Sequence, residues 1–159
     1  MNILFVCTGN ISRSFLAEML LKAQIHKRGL NNISVSSAGL SVYPGHPPDQ
    51  KMVEYLSALG ISTTSHEARQ IQKTDADWAD LILVMEADHL KILADIWPDI
   101  TDKVQLLGKF ISTNSIYDDI VDPFGQSSYH YRLAQSQISL AIDNLVNEVL
   151  LETPASFEI

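Results

Sequence analysis

Apolar residues along the chain follow two rhythms. Short runs at residues 3–6, 33–37, 81–85 and 104–107 are bounded by polar or turn-forming residues and read as β-strands. Between them apolar positions recur at helical spacing. Leu16, Met19, Leu20 and Ala23 share one face of a helix predicted over 14–28, with Gly29 as its stop. Further helices are predicted over 49–59 and over 87–97, the latter halted by Pro98. The last and longest runs over 128–151, with Ile138, Ala141, Ile142, Leu145 and Val149 on one face. Strands alternating with helices imply crossover connections, hence an α/β three-layer sandwich with a four-stranded parallel sheet flanked by helices. Ligands of such sheets bind beyond the carboxyl ends of the strands. One domain over 1–151 is expected, followed by a loose tail at 152–159 that carries Thr153-Pro154 and few anchors.

The first strand ends in the most informative segment, Cys7-Thr8-Gly9-Asn10-Ile11-Ser12-Arg13, which leads into the first helix at Ser14. A strand that feeds a helix through such a loop aims successive backbone amides at one point. At the positive end of the helix dipole, that nest binds phosphate-like anions. The same field favours the thiolate of Cys7. Arg13 can offer its planar fork to two oxygens of a bound phosphoryl group. The loop therefore reads as a phosphate-binding site after the first strand, with a nucleophile at its floor. Cys7 by itself would suit a small buried hydrophobe at a strand end; Gly9, Asn10, Arg13 and Ser14 change that reading. Ser14 stands where it could cap the helix or serve the thiolate.

Composition narrows the class. A chain of 159 residues suits one domain with a sizeable core. Its 11 basic and 19 acidic residues give a net charge of −8, which argues against nucleic-acid binding. The single cysteine excludes an internal disulfide and suits a reducing, cytoplasmic setting. No basic segment precedes the short apolar start, and no apolar stretch approaches the ~20 residues a membrane span needs, so no membrane insertion is expected. The loop lacks the lysine of a Walker motif and the three glycines of a dinucleotide fingerprint. A lone cysteine cannot build a thiolate-rich metal site, so neither metal nor cofactor is expected.

A cysteine that attacks phosphorus still needs an acid for the leaving oxygen. Asp118, Asp119 and Asp122 cluster before Pro123-Phe124-Gly125, whose proline and glycine signal a loop. Asp122 is the best placed, stiffened by Pro123 and faced by an aromatic wall at Phe124. An Asp-Pro turn capping the last helix is the competing reading.

Taken together, Val6-Cys7-x-Gly9-Asn10-x-x-Arg13-Ser14 at the N-terminus resembles the signature of the low-molecular-weight protein tyrosine phosphatases of bacterial type. Asp122-Pro123 resembles that family's general-acid loop. Ser36-Ser37-Ala38-Gly39, His66-Glu67-Ala68-Arg69-Gln70 and Asp80-Leu81-Ile82-Leu83-Val84-Met85 are similar to further family blocks, in order, so the likeness spans about residues 1–150. The resemblance implies a metal-free, two-step phosphatase. In it Cys7 is nucleophile, Arg13 and the amides from Thr8 to Ser14 hold the phosphoryl oxygens, and Asp122 is general acid and then base. It implies that Asn10 holds a strained turn tied to Ser14, Ser37 and His66, although His66 alone would pass for a structural histidine. It implies phosphotyrosine-bearing protein partners, among them a bacterial tyrosine kinase. Two positions depart from the family: Ser12 replaces a second cysteine, leaving Cys7 no resolving thiol, and Phe15 replaces a proline at the helix start.

The rim carries specificity. Tyr43, in the segment Tyr43-Pro44-Gly45-His46-Pro47-Pro48, corresponds to the family's variable loop and, with Phe124 opposite, forms an aromatic slot suited to a phosphotyrosine ring. Packing of Tyr43 on Pro44 or Pro47 is the alternative. A branch of the same fold hydrolyses phosphoarginine; it commonly has threonine where this chain has Ile11 but shares the Asp122-Pro123-Phe124-Gly125 segment. Phosphoarginine thus stays an open alternative, while the apolar Ile11 side chain tilts the reading toward phosphotyrosine. Thiol-coupled arsenate reduction and a non-catalytic phosphate-binding adaptor are the weaker alternatives, the first for want of relay cysteines, the second because Cys7, Arg13 and Asp122 are all present.

Overall fold

The computed structural model describes residues 1–63, 65–111 and 119–151. The tail at 152–159 and Asp118 lie outside the described residues. Strands β1 (Asn2–Cys7), β2 (Ser34–Gly39), β3 (Leu81–Val84) and β4 (Val104–Leu106) form one parallel sheet in the order β2-β1-β3-β4. Alternation along β1 sorts the core into two layers. Ile3, Phe5 and Cys7 join Leu83 and Met85 beneath α1 (Arg13–Arg28), α2 (Gln50–Ala58) and α5 (Ser128–Leu145). Leu4 and Val6 join Ile82 and Val84 on the other face, beneath α3 (Lys73–Trp78) and α4 (Ala87–Ile96). Both faces are thus covered, as a parallel sheet of apolar strands requires. From β1 the chain crosses first to β2 on one side and later to β3 on the other. The strand order therefore reverses at the carboxyl end of β1, where Cys7 sits, and a crevice opens there.

Several element ends differ from the sequence pattern. Ile33, Met85 and Leu107 fall just outside their strands, although Met85 and Leu107 are fully buried; apolar character marks core membership, not ladder pairing. Helix α1 begins at Arg13, with Ser12 in the cap position and no side-chain cap bond, so Ser14 is not the cap. Its far end is as expected: Gly29 adopts φ +66° after a basic last turn of His26, Lys27 and Arg28. Helix α3 has no counterpart in the predicted elements. At six residues it is too short to show an apolar stripe, and it is started instead by Asp75, whose carboxylate accepts the Gln72 amide at 2.8 Å. The last helix is α-helical only to Leu145 and closes in a wider π turn over Val146–Leu150.

Gly39, at the end of β2, lies directly beneath the loop after β1. A Cβ there would stand 2.4 Å from Val42 Cγ2, 2.7 Å from the Thr8 carbonyl oxygen and 3.1 Å from Asn10 Cβ. The Thr8 contact is backbone and cannot rotate away. Gly39→Ala should therefore cost about 1–3 kcal/mol through overpacking. Thermal unfolding checks this: a Tm unchanged from wild type would show that the loop yields to a methyl group.

Candidate active site

The loop from Cys7 to Arg13 is bent at Asn10, the one non-glycine residue with positive φ, at +57°, among the described residues. That conformation costs on the order of 1–3 kcal/mol for a residue with a Cβ, and the surroundings offset it. The Asn10 amide donates to Ser14 Oγ and to Ser37 Oγ, each at 2.9 Å, while Asn10 Oδ1 accepts the Arg69 backbone amide at 3.1 Å. His66 Nε2 donates to the Asn10 carbonyl at 2.8 Å, and the His66 ring lies 4.8 Å from that of fully buried Phe15. Phe15, near the start of α1, thus braces the histidine that pins the loop.

Carbonyl oxygens of the loop are drawn outward. Those of Cys7 and Thr8 accept from Leu40 and Ser41, that of Ile11 from Asp49 at 2.8 Å, and that of Ser12 from Leu16 within α1. Among the described residues, no acceptor takes the backbone amides of residues 8–14. The loop is an amide nest at a helix N-terminus. Cys7, only 3% exposed, places Sγ 2.9 Å from Ser14 Oγ. Because Ser14 Oγ already accepts from Asn10, its own proton is free to be donated to the Cys7 sulfur. Here the Ser14 hydroxyl serves the thiol and not the helix.

Arg13 is 1% exposed and held along one edge: Nη1 donates to Glu86 Oε2 at 2.8 Å and to the Ile120 carbonyl at 2.7 Å. Its Nη2 lies 3.8 Å from Asp122 Oδ2. The guanidinium is thereby oriented before any anion arrives, with donors to spare for one. Asp122, about half exposed, accepts the Phe124 amide at 3.1 Å in a tight turn. It does not cap α5, whose cap position is Ser127.

A pocket of about 270 Å³ collects Cys7, Thr8, Gly9, Ile11, Ser12 and Arg13 from the loop, together with Asp122. Ser41, Tyr43, His46 and Phe124 complete its lining. Tyr43 is 84% exposed and free of the prolines' cover. Its loop is fastened by backbone bonds from Gly45 to Ala68 and from Ala68 to His46, so the variable loop rides on the 66–70 segment. Ser12 Oγ is buried with no hydrogen-bond partner among the described residues.

Several contributors were not singled out in the sequence. Glu18, on α1, accepts from Ser37 Oγ at 2.6 Å and pairs with Lys22; it extends the Asn10 network to a buried carboxylate. Its one signal in the sequence is its place between Leu16 and Met19, two residues of the predicted apolar face. Asp49 ties the Ile11 carbonyl to Tyr131, whose hydroxyl donates to it at 2.7 Å. Burial and that carboxylate push the Tyr131 phenol well above its ordinary range. Glu86 and His89 stand at the start of α4, and nothing local marks them as neighbours of Arg13 and Thr8.

Residues 2–154 match the family model described as low molecular weight phosphotyrosine protein phosphatase. A protein-arginine-phosphatase of Geobacillus stearothermophilus is 33% identical over 94% of this chain and 97% of its own length. The low molecular weight protein-tyrosine-phosphatase Wzb of Salmonella typhi is 39% identical over 79% of this chain and 78% of its own. Among solved structures, the low molecular weight protein tyrosine phosphatase from T. tengcongensis superposes with a TM-score of 0.84 at 31% identity, covering 94% of this chain and 99% of that one.

Proposed function

The chain belongs to the low molecular weight phosphotyrosine protein phosphatases, and we propose on that premise that it hydrolyses phosphotyrosine in proteins through a cysteinyl-phosphate. One observation carries the residue assignment: a pre-oriented arginine fork, a thiol and a carboxylate share a single pocket whose loop carbonyls are turned away. In the first step Cys7 Sγ attacks phosphorus in line, the phosphorus–oxygen bond to tyrosine breaks, and Asp122 gives its proton to the departing phenolic oxygen. In the second, water attacks the thiophosphate, Asp122 takes the proton, and phosphate leaves with Cys7 restored as thiolate. Arg13 and the amides of Thr8, Gly9, Asn10, Ile11, Ser12, Arg13 and Ser14 hold the equatorial oxygens throughout. Such positioned donors act with no reorganisation at the moment of reaction. Ser37 and His66 serve by fixing the loop.

For substrate choice, Ile11 together with Tyr43 and Phe124 gives the mouth apolar and aromatic surface, which suits a flat ring. Hydrolysis of phosphoarginine is the second reading, favoured by the relative that bears that name and spans nearly the whole chain. Parallel turnover of phosphotyrosine and phosphoarginine peptides separates them. We expect release from phosphotyrosine, with Ile11→Thr moving preference toward phosphoarginine. Preference of the wild type for phosphoarginine would overturn the substrate assignment and leave the chemistry standing. The reading calls for a phosphotyrosine-bearing protein partner, such as a bacterial tyrosine kinase, and for a cytoplasmic location, which suits a free thiol. No helix among the described residues is long and apolar enough to cross a membrane.

A further inference from the structure

His89, 3% exposed at the start of α4, takes no part in the mechanism above. Its Nδ1 accepts the backbone amide of Glu86 at 3.1 Å, so that nitrogen bears no proton. The neutral ring must carry its proton on Nε2, which faces Thr8 Oγ1 at 3.1 Å and Glu86 Oε2 at 3.5 Å. Thr8 Oγ1 therefore accepts from His89 and keeps its own proton free, and Thr8 lines the pocket that holds Cys7. Glu86 Oε2 is the same atom that grips Arg13. One imidazole thus touches both the phosphate loop and the carboxylate that orients the arginine.

We propose that His89 is a positioning residue for phosphoryl transfer, which as a neutral imidazole of fixed tautomer locks Thr8 and the Arg13-bound Glu86 into one hydrogen-bonded chain. The inference rests on the phosphatase reading of the pocket. It gives Thr8 a side-chain duty beyond its backbone amide, that of an oriented hydroxyl at the pocket wall. The surroundings keep the ring neutral. Burial, and then the Arg13 charge from α1, push the His89 pKa below its ordinary value, against opposing pulls from Glu86, Asp119 and its own helix's Asp88. A histidine with a lowered folded pKa binds its proton more readily when the chain is unfolded. Stability linked to it is therefore present above the unfolded value and falls as pH drops below about 6.5.

The test uses the whole enzyme with para-nitrophenyl phosphate as substrate and inorganic phosphate as a ligand whose affinity is read by calorimetry, without turnover. His89→Gln keeps an amide acceptor and donor; His89→Leu keeps neither. His89→Leu should lower kcat and phosphate affinity about tenfold, the equivalent of one or two lost hydrogen bonds, and His89→Gln should recover most of that. Thr8→Val alters an exposed side chain, so it should fold normally and reproduce the kcat loss, with the double variant no worse than His89→Leu alone. Between about pH 5 and 8, wild type should lose Tm on the acid side more steeply than His89→Gln. Thr8→Val at the wild-type rate would overturn the proposal. So would losses that multiply in the double variant, or a His89→Leu enzyme with lowered Tm but intact kcat and phosphate affinity. Absence of turnover in wild type would instead sink the phosphatase reading.

Discussion

Cys7→Ser should abolish release of phosphate while leaving phosphotyrosine binding in place. The expected fall in kcat is on the order of 10⁴-fold or more, as when other covalent enzymes lose their nucleophile. Binding should survive because the anion is held by groups the substitution does not touch: the amides after Cys7 and the Arg13 fork, itself fixed by Glu86 and Ile120. The hydroxyl also fits where the thiol was, 2.9 Å from Ser14 Oγ. Calorimetry with a phosphotyrosine peptide beside steady-state turnover separates the two quantities. Residual turnover within tenfold of wild type would remove Cys7 from the chemistry. Loss of binding together with turnover would mean that the loop had changed shape.

Asp122→Asn should show its effect in proportion to the basicity of the leaving group. The amide keeps the volume and can still accept the Phe124 amide, so the turn should hold. What is lost is the proton, and a positioned proton donor is worth about 10²–10⁴-fold. A phenol with a pKa near ~10 needs that proton to leave, so phenyl phosphate should suffer toward the upper end of the range. An aryl phosphate whose phenol is far more acidic should suffer much less. Comparison of kcat/KM for the two substrates, wild type against variant, checks this. An equal loss for both would assign Asp122 to holding Arg13, 3.8 Å away, and not to proton transfer.

Much of the fold could be read from apolar rhythm because a parallel sheet buried on both faces needs continuous apolar strands, and its cross-over helices need apolar faces. The four-stranded α/β sandwich follows from that. Rhythm failed where it had too few residues to act on, as in α3, or where the core extends past the ladder, as at Met85 and Leu107. In the site, the Cys7–Arg13 loop announced itself because its chemistry is contiguous. The partnership of Asn10 with Ser37 and His66 came only through family resemblance, since nothing in the intervening residues records their proximity. Glu18, Asp49, Glu86 and His89 were not read at all. A buried carboxylate or imidazole looks like any surface residue until its partners, many positions away, are brought against it.

The bend at Asn10 has a bearing on how the enzyme comes to life. Its fastenings reach 4, 27, 56 and 59 residues along the chain, to Ser14, Ser37, His66 and Arg69. Local forces alone favour relaxing the bend, so it can persist only once β2 and the 66–70 segment have docked on β1. The three contacts to Ser37, His66 and Arg69 close long stretches of chain and are slow to form, because the closure entropy of each loop is lost before any contact rewards it. A chain still emerging or half collapsed would thus carry no anion cradle. Competence for hydrolysis would arrive only with those docking events, and not with the local formation of β1 or α1.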